Sequence, residues 1–545
     1  MAISFIPVDD DSTSGGITLE EDNLVKMEAG RYRFRAKFDY PQLEQLDGSQ
    51  VLNENAQSLL LEQEGGEDAE KVKSLTFLSY SNKLLAGAWR FLTYFGRDSM
   101  IATLLLAPVL SEGQGGAIEA VIGSVLERLN QTSGVVCHEE TIGDYATFLS
   151  IQQTGMASTA PGCNYVMVDT DYYLMPLLER YFLQSTVGQQ RTSDFLNTVS
   201  TLDFGNAGLT YGELALINAK TIMTNTASFA SDGGQIKENL IHLRDDVPVG
   251  EWRDSNTGIG SGRIPYDINT ALVPAALRSI SALSAAGWFP DYPEWADLAA
   301  QYAQVWEDDT LALFEVVIPF AEAKNLVEDY TNAAGMGFAS RSDLIQGDIV
   351  FHGLALDGGN DQSIVRVMNT DDCFRLFLLN TTNQAQLTAF VNQTATNIRS
   401  PFPVGLLTPV SLVVANPAYG GDPVYAANFT NSAYHGTVVW SWQLSMMAAG
   451  LQRQLERCIT SDGAIVPDFC SDEVVYNNVR GANNDLWDNL EANSEHLSSE
   501  VWSWTISPEG EFVFAPLGAL AQTESDIRQL WSLTFLAVRR DDRFR

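Results

Sequence analysis

The sequence predicts an all-α domain over residues 71–545 behind a small β-containing lead, residues 1–70. Three observations predict it. From about residue 71, apolar side chains recur at i, i+3, i+4 and i+7, the spacing of one helix face. Strand-like alternation is confined to short stretches. Hydrophobic residues make up 45% of the 545 and no Pro/Gly/Ser-rich linker divides them, so the chain has the material for one large core. About a dozen helices without a linker fit a ring of six inner and six outer helices, an (α/α)6 barrel of helical hairpins with a pocket on its axis. A helical solenoid fits the same count.

The elements follow in order. In the lead, Gly30–Tyr40 alternates as a strand does, and Gln63–Glu70 reads as a Gly/Glu-rich turn. The lead is expected to pack on the barrel. Ile118, Val121, Ile122, Val125, Leu126 and Leu129 mark a helix that follows Gly115-Gly116. Residues 169–183, 267–283, 293–316, 437–458 and 485–497 read similarly. Weaker helical patterns lie at 71–92, 97–110, 140–153, 212–225, 234–243 and 385–397. Residues 405–415 read as a short strand.

Charge and composition narrow the function. The chain carries 69 acidic and 32 basic residues, a net charge of −37. Such a surface repels phosphate backbones and anionic lipid, so neither nucleic acid nor membrane is expected as a partner. Neutral substrates remain compatible. The longest apolar run, Ile101–Leu110, contains Pro108 and is about half the length of a membrane span. The first residues lack the basic and apolar regions of a signal peptide. A mature secreted chain is expected, with a cytoplasmic location as the alternative. Four Asn-X-Ser/Thr sequons, at Asn130, Asn380, Asn392 and Asn428, fit a secreted glycoprotein. Of five cysteines one must be unpaired, and Cys458 with Cys470 would close a short loop. No CxxC spacing occurs and the five histidines are scattered singly, so no metal or cofactor is expected.

The chemistry is concentrated in loops. Tyr94-Phe-Gly-Arg-Asp-Ser99 presents Arg97 and Asp98, as a fixed pair on a sugar hydroxyl or as an ordinary helix start. Cys137-His-Glu-Glu-Thr-Ile-Gly-Asp-Tyr145 presents His138 and Glu139, in a ligand loop or an acidic helix start. Glu251-Trp-Arg-Asp254 places Asp254 beside Trp252, whose ring would supply the dry wall that raises a carboxyl pKa, and beside Arg253, which would lower it. The alternative is a turn aspartate paired with Arg253. Ser498-Ser-Glu-Val-Trp-Ser-Trp504 presents Glu500 as a general base, or as an exposed residue on a strand. Tyr434-His-Gly-Thr-Val-Val-Trp-Ser-Trp442 adds His435 and Trp440, and core packing is the expected role of Val438, Val439 and Trp442. Aromatic faces stack on sugar rings while carboxylates bind hydroxyls. Trp252, Trp440, Trp442, Trp502 and Trp504 with these carboxylates are what a neutral-carbohydrate pocket needs.

These motifs resemble the glucosidase domain of glycogen debranching enzymes and related six-hairpin (α/α)6 glycoside hydrolases, over about residues 75 to 520. Phe95–Ser99 is similar to that family's Phe-Gly-Arg-Asp-Thr. Val168-Asp-Thr-Asp-Tyr-Tyr173 is similar to its Asn-Thr-Val-Asp-Ala, which places Asp169 in the sugar site. Glu251–Asp254 resembles Thr-Trp-Met-Asp, whose aspartate is the general acid, with Arg253 in the place of Met. Gly262–Leu277 resembles its Gly-Lys-Pro-Val-Glu-Ile-Gln-Ala run, with Asp267 at the glutamate. The family's Glu-Ile-Phe-Asp segment has no counterpart, and Glu500 stands where a late catalytic Glu is expected. No separate transferase domain accompanies the glucosidase-like part, so a bifunctional glycogen enzyme is not expected.

The resemblance and the motifs together imply an inverting, exo-acting glycoside hydrolase that releases a terminal sugar, a glucoside by resemblance, from an oligo- or polysaccharide. Asp254 would be the general acid and Glu500 the general base, their carboxyls roughly 6.5–9.5 Å apart to admit a water. Arg97, Asp98, His138, Glu139 and Asp169 would hold the sugar, with Trp252, Arg253, Asp267, His435, Trp440 and Trp502 around it. A phosphorylase would need an anion site near Glu500, and none is evident. A uronate-acting glycosidase or lyase would draw on Arg253 and Arg263. A non-catalytic carbohydrate-binding protein would retain affinity after mutation of Asp254.

Overall fold

Helix ends follow the capping chemistry of the sequence. Thr210 and Glu213 form a capping box at the start of Tyr211–Ala230, and Asp472 accepts the Val474 and Val475 amides at the start of Glu473–Ala492. Gly155 and Gly335 close the helices before them at positive φ, where a Cβ would be strained. A computed structural model of the chain describes residues 2–7, 17–20, 24–37, 44–58, 67–87, 93–158, 162–202, 205–335, 337–459, 465–521 and 528–545, the side chains of Glu67, Asp144, Tyr145 and Ala334 excepted. The fold is mainly helical, about half of it helix, with short sheets.

Contacts divide the chain into residues 1–45 and 46–545. In the first unit Ala2–Pro7 pairs antiparallel with Tyr32–Lys37, the Phe5 and Phe34 rings lying opposite each other at 5.2 Å. The last residues of the Gly30–Tyr40 pattern lie outside the described residues, as does the 63–66 part of the expected turn. Residues 46–58 belong by contact to the larger unit, where the Leu46 amide donates to the Ser79 carbonyl at 3.0 Å.

In the larger unit, five helices and one 3₁₀ helix follow one another as neighbours. They are α1 (Gly96–Leu106), α2 (Leu174–Gln184), α3 (Val273–Ala285, entered through a π turn at Ile268–Leu272), α4 (Asp372–Leu378), α5 (Ser441–Glu456) and the 3₁₀ helix Leu530–Leu536. α1 contacts α2, α2 contacts α3, the π turn contacts α4, α4 contacts α5, α5 contacts the 3₁₀ helix, and that helix returns to α1. Other helices pack against members of this cycle. Ala117–Glu127 lies on α1, Trp295–Asp309 on α3, Glu473–Ala492 on α5 and on Gln384–Arg399, and Glu67–Leu78 on the 3₁₀ helix. The apolar stripe of Ile118, Val121, Ile122, Val125, Leu126 and Leu129 is buried throughout. Burying each such side chain stabilises the fold by about 1.5–3 kcal/mol.

The structure corrects several element expectations. Residues 293–316 do not continue as helix. After Asp309 a 3₁₀ turn leads into the strand Glu315–Ile318, which pairs with Ile349–His352 because its β-branched side chains suit an extended ladder. Residues 234–243 form only the 3₁₀ turn Lys237–Asn239. The helix expected at 485–497 starts at Glu473 and ends at Ala492. The weak pattern at 71–92 is helical to Leu78, then turns through a two-strand hairpin, and 88–92 lie outside the described residues. Residues 405–415 form two-residue strands rather than one. The helices Thr186–Leu196, Phe320–Ala334 and Asp372–Leu378 were not expected.

Cys137 bonds to Cys163 and Cys458 to Cys470, which leaves Cys373 free and buried. Among the described residues no helix is long and apolar enough to cross a membrane.

Candidate active site

The polar residues of the loop motifs meet at one end of the cycle, where its helices begin. Arg97 and Asp98 lie in the first turn of α1, Asp169 just before α2, Asp267 before the π turn, Asp371 before α4, Trp440 before α5, and Gln529 before the final 3₁₀ helix. Two small sheets carry loops to the same place. In one, Phe95 pairs with Glu139 and Glu139 with Asn164. In the other, Trp440 pairs with Val501, the residue after Glu500. Gly96 lies so close to this first sheet that a Cβ there would stand 2.4 Å from the Cys137 carbonyl oxygen. Glycine is therefore required for the turn that presents Arg97. Below it, Glu140 accepts Lys83 at 3.1 Å and Arg128 at 2.5 Å, a buried three-residue anchor for the Glu139 strand.

Arg97, Asp98, Asp254, Trp440 and Glu500 line one cavity of about 550 Å³, together with Tyr434, Trp531 and the Ser255–Thr257 turn. The Arg97 guanidinium fixes two carboxylates at once. It donates to both oxygens of Asp169, at 2.6 and 2.9 Å, and to Asp254 Oδ2 at 3.0 Å. Arg97 and Asp169 are fully buried, whereas the Asp254 side chain is 29% exposed and faces the cavity. Burial raises the Asp254 pKa, and Arg97 opposes but does not cancel that rise. Burial pushes Asp98 up to about 8, with Arg97 again opposing and the Asp254 and Asp169 charges adding to the rise. In the lining of the same cavity, Tyr434 donates its hydroxyl to Glu500 Oε1 at 2.7 Å.

The remaining expected residues lie behind this cavity or beside it. Trp252 is buried edge-on against His435, Trp440 and Trp442 and donates its indole N–H to Asp371 at 3.2 Å. Arg253 is wholly buried, with its guanidinium 4.2 Å over the Trp252 ring. It forks onto Asp371 at 3.0 and 2.8 Å and donates to the Val414 carbonyl. The partner of Asp254 is thus Arg97, and Arg253 is engaged elsewhere. Arg263 donates to the backbone carbonyls of Val247, Leu243 and Arg244. His435 stacks on Trp440 and shares a 2.8 Å hydrogen bond with the Ser255 hydroxyl, and burial holds its pKa far below the usual histidine range. His138 is buried beside Phe95 and is likewise kept neutral by burial, then by Arg97. Glu139 borders a separate cavity of about 420 Å³; burial raises its pKa, and the Asp254 charge adds to that. Asp267 is buried, and burial with the charges of Asp371 and Asp169 holds its proton well above the usual carboxyl range. Trp502 donates to the Val410 carbonyl at 2.9 Å within the core. The Asp144 side chain of the second loop motif lies outside the described residues.

Three contributors were not singled out from sequence. Trp531 sits in an apolar run that reads as plain core, yet it lines the cavity and its neighbour Trp442 stacks on it at 5.4 Å. Tyr434 was noted only as part of its motif, with no sign of its bond to Glu500. Asp371, in Thr370-Asp-Asp372, carries no local signal, and its partners Trp252 and Arg253 are far away in sequence. Among the described residues no group of three or more His, Cys, Asp and Glu is placed to hold a metal ion. The arrangement offers a carboxyl with a raised pKa, a second carboxyl held by a hydrogen bond, and aromatic rings in the wall of the same cavity. Protein-family models and curated proteins were compared with the chain, and none matches it.

Proposed function

We propose that the chain is an inverting, exo-acting glycoside hydrolase on a six-hairpin (α/α)6 toroid, akin to the glucosidase domain of glycogen debranching enzymes. The observation that carries this reading is the shared cavity of Asp254 and Glu500, each carboxyl held by its own hydrogen-bond donor, with Trp440 and Trp531 in the wall. The closed cycle of helix contacts and the further helices packed against its members support the toroid.

In this mechanism Asp254 protonates the glycosidic oxygen. Its partly buried setting favours the protonated form, and Arg97 fixes its orientation. Glu500 takes a proton from a water that attacks the anomeric carbon from the opposite face, and Tyr434 sets the position of its carboxylate. Asp98, whose pKa burial raises, supplies an O–H to a sugar hydroxyl. The aromatic walls stack on the sugar ring. Arg253 and Arg263, which the uronate reading would use, are both engaged away from the cavity, so a neutral sugar is favoured. The two disulfides support a protein matured in an oxidising compartment, and the reading is of a secreted enzyme.

The test is hydrolysis of a panel of disaccharides and plant or fungal polysaccharides, followed by proton NMR of the first sugar released. Release of a terminal sugar with inverted anomeric configuration is expected. Retained configuration would remove the acid–base assignment, and binding without any turnover would leave a carbohydrate-binding protein.

A further inference from the structure

The cycle of helices has a second mouth. The C-terminal turns of α1, α2, α4 and α5 converge on a cavity of about 1080 Å³, at the opposite ends of the helices that begin at the candidate active site. Helix C-termini present unpaired carbonyls and partial negative charge, so basic residues belong here on electrostatic grounds. Most of the arginines at this mouth are accounted for in that way or by carboxylates. Arg453 donates to the Phe377 carbonyl and, at 3.2 Å, to Asn380. Arg278 pairs with Glu307, Arg539 with Asp68, Arg540 with Asp488 and Glu491, and Arg543 with Asp541 and Glu456.

Arg180 is the exception. It projects from α2 into the cavity, partly buried, with its guanidinium 5.9 Å from the Phe377 ring. Among the described residues it has neither a hydrogen bond nor an ion pair. Its neighbour Glu179 is engaged by the Ser279 hydroxyl at 2.6 Å and the Gln184 amide at 3.3 Å. Counter-charge is not scarce in this chain, which has 69 acidic residues for 32 basic ones. The charge of Arg180 is also felt by Arg453, whose pKa burial and Arg180 together push down to about 10, against weaker help from Glu179 and Glu456. Two neighbouring guanidiniums, one without an acceptor among the described residues, open onto a cavity far larger than a water cluster needs. A guanidinium presents paired N–H donors in a planar fork that matches two oxygens of one oxyanion.

We propose that this cavity is a second ligand site, which takes the phosphate or carboxylate group of a polar molecule on the Arg180 guanidinium, with Arg453 beside it. The volume leaves room for a body attached to the oxyanion. The site is independent of the proposed hydrolysis and stands at the other end of the helices.

The experiment is calorimetric titration of the full chain with inorganic phosphate and with gluconate at constant ionic strength, with chloride as the reference salt. The wild-type protein is expected to bind one or both above the chloride baseline, and which one identifies the source of the oxyanion. R180Q should weaken that binding at least about tenfold, the loss expected for a charge-assisted hydrogen bond. R180K, which keeps the charge and loses the fork, should fall between. K324Q, which removes a lysine on another helix, should bind as the wild type does. Because Arg180 holds no hydrogen bond among the described residues, R180Q is expected to fold and to keep its far-UV circular dichroism. Binding of neither anion by the wild type, or equal binding by R180Q and the wild type, would overturn the proposal.

Discussion

Arg97→Met removes the guanidinium that ties α1 to the segments before α2 and after Trp252. Three charge-assisted hydrogen bonds are lost, at 2.6, 2.9 and 3.0 Å. The larger cost is what remains. Asp169 is fully buried, and without Arg97 its carboxylate has no cation, a situation that costs about 3–5 kcal/mol. At about 2 cal/mol/K per residue over roughly 500 residues, this lowers the unfolding temperature by about 3–5 °C. Urea unfolding at pH 7, followed by tryptophan fluorescence and circular dichroism, measures the loss. Adding Asp169→Asn to Arg97→Met removes the lone charge and should recover most of it. Asp254 gives a second readout. Arg97 is the cation that holds its pKa down against burial, so its loss lets that pKa rise further, and the alkaline limb of hydrolysis should move to higher pH. A cost below about 1 kcal/mol for Arg97→Met, or no recovery in the double variant, would refute the view that a buried, obligatory ion pair organises the site.

Other outcomes follow from the same structure. The folded-state pKa of Asp98 is raised from 3.8 to about 8, so the native state keeps a proton that the unfolded chain has released, and stability falls as pH rises between those values. At about 1.4 kcal/mol per pH unit the effect is several kcal/mol. Thermal melts of Asp98→Asn should therefore gain on the wild type from about pH 4 to about pH 8 and run parallel above; a pH-independent difference would contradict the burial argument. Tyr434→Phe should lower kcat about 10–100-fold with little change in unfolding temperature, since it removes one hydrogen bond to the Glu500 carboxylate; an unchanged kcat would separate Glu500 from the chemistry. Alkylation read by mass spectrometry should label no cysteine in the native protein, one after unfolding and five after unfolding with reduction. Early labelling of Cys373 would contradict its burial.

Legibility in the sequence tracked the range of the interactions involved. The helix at Ala117–Glu127 was plain because its stripe is unbroken and all of it is buried. The first half of Glu473–Ala492 was not, because Val, Asn and Gly weaken local helix propensity. Its Val475, Val479, Ala482, Leu486 and Leu490 are buried, and the helix is held by packing on Gln384–Arg399 and Ser441–Glu456, which no local window contains. The start of Glu315–Ile318 was mistaken for the end of a helix because a short apolar run has no decisive period, and its partner strand begins 31 residues after Ile318, at Ile349. In the site, Arg97, Asp98, Asp254, Trp440 and Glu500 could be picked out because polar and aromatic residues crowd into loops at helix starts. The pairing of those residues could not. Arg253 adjoins Asp254 in sequence yet binds Asp371, 118 positions away, while Asp254 is bound by Arg97, 157 positions away. Adjacency in the chain gave the wrong partner because tertiary contacts, not sequence neighbours, decide which groups these two side chains meet.

The most direct test of the central claim is the turnover of Asp254→Asn and Glu500→Gln on the sugar identified by the substrate panel, with the fold of each checked by circular dichroism. Each variant should keep the fold and the affinity for the sugar and lose several orders of magnitude in kcat, since each removes one half of an acid–base pair. Full turnover by either folded variant would contradict the account.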